Sequence, residues 1–146
     1  MFRFAMAALV GMSTLSAVAQ MTPVGLWKTI SDKDGLVTSE VRIVENAGVL
    51  SGKVERILHP DAKPDDKCNL CKDERKDQLQ LGMEIIRAAK KAESKDVWED
   101  GNILDPENGS VYRLKMTPVD GGKKLEIRGY IGAPIFGRTQ TWFRVQ

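Results

Sequence analysis

Along most of the chain, apolar and polar residues alternate singly rather than recurring at helical spacing. Tyr112, Leu114 and Met116 fall on one side and Arg113 and Lys115 on the other. Leu125 and Ile127 oppose Glu126 and Arg128, while Gln140, Trp142 and Arg144 oppose Thr139, Thr141, Phe143 and Val145. Alternation of this kind places each set on one face of a pleated strand. Strand-like runs cover 26–30, 37–44, 49–58, 110–116, 124–130 and 139–145. Turn signals separate them: Asp34-Gly35, Asn46-Ala47-Gly48, the stretch Asp105-Pro106-Glu107-Asn108-Gly109, and Asp120-Gly121-Gly122. Asn and Gly tolerate the positive φ of tight hairpins, and Pro presets φ for a turn. Short strands joined by hairpins, without a βαβ rhythm, predict an all-β antiparallel barrel or sandwich.

Two segments depart from this pattern. Residues 59–78 are polar, carry both cysteines, and are too long for a hairpin turn. Residues 83–93 (MEIIRAAKKAE) have a helix-like composition and are expected to form a strand running into a short helical turn. The first 19 residues have a different character again. Arg3 is followed by an uncharged apolar stretch from Phe4, ending in the small-x-small sequence Ala17-Val18-Ala19. That order predicts a secretion signal cut after Ala19, with one domain over 20–146 placed in the periplasm or outside the cell. The apolar run is shorter than the ~20 residues of a membrane-spanning helix.

Composition narrows the function classes. With 22 Lys+Arg, 20 Asp+Glu and a formal net charge of +2, the chain lacks the basic excess of a nucleic-acid binder. Its single histidine limits His-based catalysis and metal binding. No G-x-S-x-G nucleophile motif is present, so hydrolase chemistry lacks its parts. No cofactor and no metal are expected.

The local chemistry concentrates in four places. Cys68-Asn69-Leu70-Cys71 lacks the following His of a haem attachment site, because Lys72 stands there. A zinc site would have to recruit His59, Asp65, Asp66 or Asp73. Redox chemistry needs a helix after the first Cys, but the flanks are charged loop. The favoured reading is a structural disulfide that pins the loop, with thiol-disulfide redox or envelope-stress chemistry as the alternative. Trp27, in Gly25-Leu26-Trp27, is expected to plug one end of the barrel, with Arg144 or Arg138 on its face. Asp105 and Gly109 read as turn formers ahead of catalysis. Glycines 129, 132 and 137 suggest bends or close strand approach. Tyr112, Arg128, Tyr130, Arg138, Gln140 and Trp142 are the candidate ligand-binding residues, able to rim a cavity that holds an anionic or carbonyl-bearing group.

Taken in order, G-x-W at 25–27, C-x-x-C at 68–71, ILDPENGSVY at 103–112, IRGYIG at 127–132 and GRTQTW at 137–142 resemble a secreted bacterial family, domain of unknown function 2147. That family is similar to the calycins and carries no established activity. The resemblance implies a small lipocalin-like antiparallel barrel of about eight strands. It leaves function to analogy. The expected function is non-enzymatic binding of a small apolar or amphipathic ligand. Leu114, Leu125 and Ile127 would line the cavity, Tyr130, Arg128 and Arg138 would form its rim, and a fatty acid would fit. An enzyme using Asp105, Tyr112, Arg128 and Tyr130 is the remaining alternative.

Overall fold

The computed structural model describes residues 21–146. The secretion signal expected over 1–19 lies outside these residues. Eight strands follow in sequence: β1 (Gly25–Ile30), β2 (Val37–Asn46), β3 (Val49–Ile57), β4 (Glu84–Lys91), β5 (Trp98–Leu104), β6 (Val111–Val119), β7 (Lys124–Tyr130) and β8 (Gly137–Arg144). Each pairs antiparallel with the next, and β8 returns to β1, so the sheet closes into a barrel. Closure removes the exposed sheet edges that an open sheet would carry.

The six runs read from alternation are all strands. Between them, 84–91 and 98–104 add β4 and β5. The helical turn expected near 83–93 is absent, and this segment is strand β4. Its Ala88 has φ 60°, beside a register shift against β3, so the strand is bulged rather than helical. The helical element among the described residues is a single 3-10 turn, Asp120–Gly122, in the β6–β7 connection.

In an up-and-down barrel, connections alternate between the two ends. At one end lie the tight turn at Ala47 and Gly48, both with positive φ, the β4–β5 and β6–β7 connections, and both ends of the barrel domain. This half is solid. Trp27, Val41, Ile43, Leu50, Ile86, Ala89, Leu114, Met116 and Leu125 have no solvent exposure. Trp27 seals the end: its Nε1 donates to Pro23 O at 2.7 Å, and the Arg144 guanidinium lies 4.2 Å from its ring centroid. Arg144 also donates to Thr22 O, Val24 O and Gly122 O. The expected plug is therefore formed with Arg144. Arg138 sits at the opposite end.

Outward-facing strand positions carry Lys28, Arg42, Lys53, Glu55 and Glu126. That is the reverse of the apolar belt of a lipid-facing barrel. No helix of the described residues is long and apolar enough to cross a membrane.

Candidate functional site

The other end of the barrel opens into a cavity of about 940 Å³. This lies near the upper end of the roughly 300–1,000 Å³ usual for small-molecule sites. Its depth is apolar, with Val54, Ile57, Ile85, Ile103, Leu104, Ile127 and the Trp142 ring in the wall. Leu114 and Leu125, expected to line it, instead lie in the packed half beneath. Ile127 is the one of the three that reaches the space. Two deep hydroxyls satisfy one another: Thr29 Oγ1 and Ser39 Oγ are 2.8 Å apart in the buried wall.

Strand parity decides which candidate residues meet. Ile127 faces Gln140 across the β7–β8 pair, Leu125 faces Trp142, and Gly129 faces Arg138, all on the inner side. Tyr112, on the inner face of β6, packs near Gly129, where a Cβ would lie 3.4 Å from the Tyr112 Cβ. The structure thus gathers Tyr112, Arg138, Gln140 and Trp142 at the cavity, with Tyr130 at its edge. Three of these link through Asp32: Trp142 Nε1 donates to Gln140 Oε1 at 3.2 Å, and Gln140 Nε2 donates to Asp32 Oδ2 at 2.7 Å. Arg138 meets the same Asp32 oxygen at 3.1 Å.

Arg128 and Tyr130 have the opposite parity. Arg128 donates to Pro134 O, Gly137 O and Thr139 Oγ1 on the outer face, so it braces the β7–β8 hairpin. Tyr130 touches the cavity wall at the end of its strand, but its ring lies 5.9 Å from the Arg113 guanidinium, and its Cβ crowds Gly137. The physical reason is the pleat: once Leu125 and Ile127 point inward, Arg128 turns outward, whereas Tyr130, at the strand end, stays buried and still reaches the cavity lining.

Four connections form the mouth: 31–36, 58–83, 105–110 and 131–136. Each is shaped by local hydrogen bonds. Asp34 Oδ1 accepts from Leu36 N, and Gly35 has φ 72°. Asp105 Oδ1 accepts from Glu107 N, and Asn108 Oδ1 from Ser110 N, so Asp105 is the expected turn former. The long 58–83 excursion is anchored by buried Arg75, which binds Asp73 and donates to Glu84 O at 2.9 Å. Pairing with Arg75 pulls the Asp73 carboxyl down to about 2. Cys68 and Cys71 form a disulfide, and both lie within the apolar core. Gly109, φ 74°, lies so close to the Leu70 carbonyl that a Cβ would collide with it. The disulfide turn is therefore packed directly onto the β5–β6 connection.

The sequence reading overlooked Asp32, Asp34 and His59 as members of this site. His59 Nε2 lies 2.7 Å from Asp34 Oδ2, while its Nδ1 accepts from Asp61 N at 3.2 Å. The Asp34 hydrogen bond raises the His59 pKa; the Leu36 N–H, then His59, lower that of Asp34. Topology was the available signal, because alternate hairpin connections of a meander share one end. Among the described residues no His, Cys, Asp and Glu group has metal-binding geometry.

Comparison with known proteins agrees with this architecture. A family model described as "Uncharacterized protein conserved in bacteria (DUF2147)" matches residues 25–144. Protein HP1028 from Helicobacter pylori, described as belonging to the lipocalin family, superposes with a TM-score of 0.74 at 17% identity. The match covers 87% of this chain and 85% of that one, and at this identity it speaks for the fold. No curated protein matches the sequence.

Proposed function

The chain belongs to the DUF2147 family of bacterial proteins, and from that premise we propose that it binds a small hydrophobic or amphipathic molecule inside its barrel, without chemistry of its own. One observation carries this reading: an apolar-walled cavity of about 940 Å³ opens at one end, while Trp27 and Arg144 close the other. Burial of apolar ligand surface against such walls supplies affinity, and a few polar groups at the mouth set orientation. Redox chemistry at Cys68 and Cys71 is disfavoured, since both are buried and exchange requires an accessible sulfur. Export belongs to the same proposal: cleavage after Ala19 would deliver the barrel to the periplasm or the exterior, where its disulfide persists. An intact mass beginning at Gln20 would support this, and a retained Met1 would oppose it.

The binding test uses a neutral environment-sensitive dye, N-phenyl-1-naphthylamine. Its fluorescence should rise on mixing with the protein and should be suppressed in Ile103→Trp, which places an indole in the cavity wall. Far-UV circular dichroism would establish that the variant keeps its sheet. Equal fluorescence from both proteins, or none from either, would refute binding in the cavity.

A further inference from the structure

The charges at the cavity mouth are unevenly distributed. Its lining holds the carboxylates of Asp32, Asp34, Asp61, Asp66, Asp105 and Glu107 against the cations Lys33 and Arg138 and the single histidine. The whole chain, by contrast, has a formal net charge of +2. The lining cations are already engaged. Arg138 lies 3.1 Å from Asp32, and Lys33 lies 3.8 Å from Glu107. His59 faces Asp34. Asp61, Asp66 and Asp105 make no ion pair among the described residues. Asp66 and Asp105 accept only backbone N–H groups, from Lys63 and Glu107. In the same wall, Thr38 Oγ1 is buried with no hydrogen-bond partner among the described residues, which leaves one further oxygen unfilled.

A carboxylate head entering this mouth would find no uncommitted cation. It would have to share the Arg138 guanidinium with Asp32 while facing three carboxylates that make no ion pair, and like charges repel most strongly beside a low-dielectric wall. A positively charged head meets the opposite field. It can add hydrogen bonds to Asp61, Asp66 or Asp105 without breaking an existing pair. The apolar depth then accepts an uncharged body.

Resting on the binder reading above, we propose that the ligand class is an amphipathic cation: an aliphatic or aromatic body that fills the barrel and an ammonium-type head held at the acidic mouth. This replaces the fatty-acid expectation drawn from the arginines in the sequence, because the structure turns Arg128 outward and commits Arg138 to Asp32.

The experiment compares dodecylamine, dodecanol and dodecanoate, which share one chain length, as competitors of the bound naphthylamine dye at neutral pH and low ionic strength. All are kept below micelle-forming concentrations. The amine should displace the dye at a concentration about tenfold or more below that of the carboxylate, with the alcohol between them. Added salt should compress that difference. The double variant Asp61→Asn, Asp66→Asn should weaken the amine several-fold and leave the alcohol unchanged. A carboxylate as good as the amine, an alcohol equal to it, or a preference insensitive to both salt and the double variant would overturn the head-group inference while leaving the cavity as a binding site. Displacement by none of the three, with no dye bound, would overturn the binder reading itself.

Discussion

Replacing Trp27 with Ala tests the closed end of the barrel. The indole is fully buried. An aromatic side chain of this kind removes roughly 150–250 Å² from water, worth about 4–6 kcal/mol at ~25 cal/mol per Å². Alanine keeps only the Cβ share. The Nε1 bond to Pro23 O and the Arg144 contact at 4.2 Å are lost as well. The vacated space borders residues held in a closed sheet, so collapse is restricted. Arg144 retains its bonds to Thr22, Val24 and Gly122 oxygens, which limits the cost of its exposure. The expected destabilisation is about 3–5 kcal/mol, lowering Tm by about 10–20 °C. Urea unfolding followed by far-UV circular dichroism measures it, with Trp27→Phe as a control that costs about 1–2 kcal/mol through its missing N–H donor. Dye binding at the distant mouth should persist in whatever fraction remains folded. A loss under about 1 kcal/mol for the alanine variant would refute the plug.

Two further outcomes follow from the mouth. The chain has one histidine, so its ring proton is read by NMR without assignment. His59 should titrate above its ordinary value and fall back in Asp34→Asn. Because the His59 pKa is raised in the folded state, its contribution is complete below about pH 6.5 and lost as pH rises through the raised value. Because that of Asp34 is lowered, its contribution is complete above about pH 4 and lost as pH falls through the lowered value. The contact is thus strongest between about pH 4 and 6.5, and an unchanged His59 titration in the variant would exclude it. Replacing both Cys68 and Cys71 with Ala should preserve the sheet and cost about 2 kcal/mol, the small value expected for so short a loop. Native protein should leave both sulfurs inaccessible to mild reductant until denaturant is added, and rapid native reduction would contradict the burial.

Much of the fold was legible because most strands keep a strict period of two. β4 and β5 were obscured for physical reasons. In β4, Ile85 and Ile86 are adjacent and both buried, and the Ala88 bulge breaks the alternation. In β5, Asp100 has φ 65° and the register against β6 shifts between Trp98 and Gly101, so the apolar positions 98, 103 and 104 keep no single period. The plug was legible in Gly25-Leu26-Trp27 because closure must bring β1 beside β8. In the site, parity already held the answer for Arg128. If Leu125 and Ile127 face inward, Arg128 turns away from the cavity, while Tyr130 reaches the lining only because its strand ends there. The acidic rim was not visible locally, since it is assembled from Asp32, Asp34, Asp61, Asp66, Asp105 and Glu107, spread over three connections that meet only once the barrel has closed.

Closure also governs how the chain reaches this state. Seven of the eight strand pairings join neighbours in sequence, whereas the eighth joins β1 to β8. Arg144 reaches back 120 residues to Val24 to complete it. The local hairpins can form early, but this last seam carries the largest loop-closure entropy and is expected to set the folding rate. A nascent chain ending before Gly137 would hold a seven-stranded sheet with two bare edges, an unsupported Trp27 and a cavity missing the wall that bears Gln140 and Trp142. Vulnerability to aggregation and proteolysis is therefore concentrated in the interval before the final eight-residue strand is added, and even a short carboxy-terminal truncation would prolong that interval indefinitely.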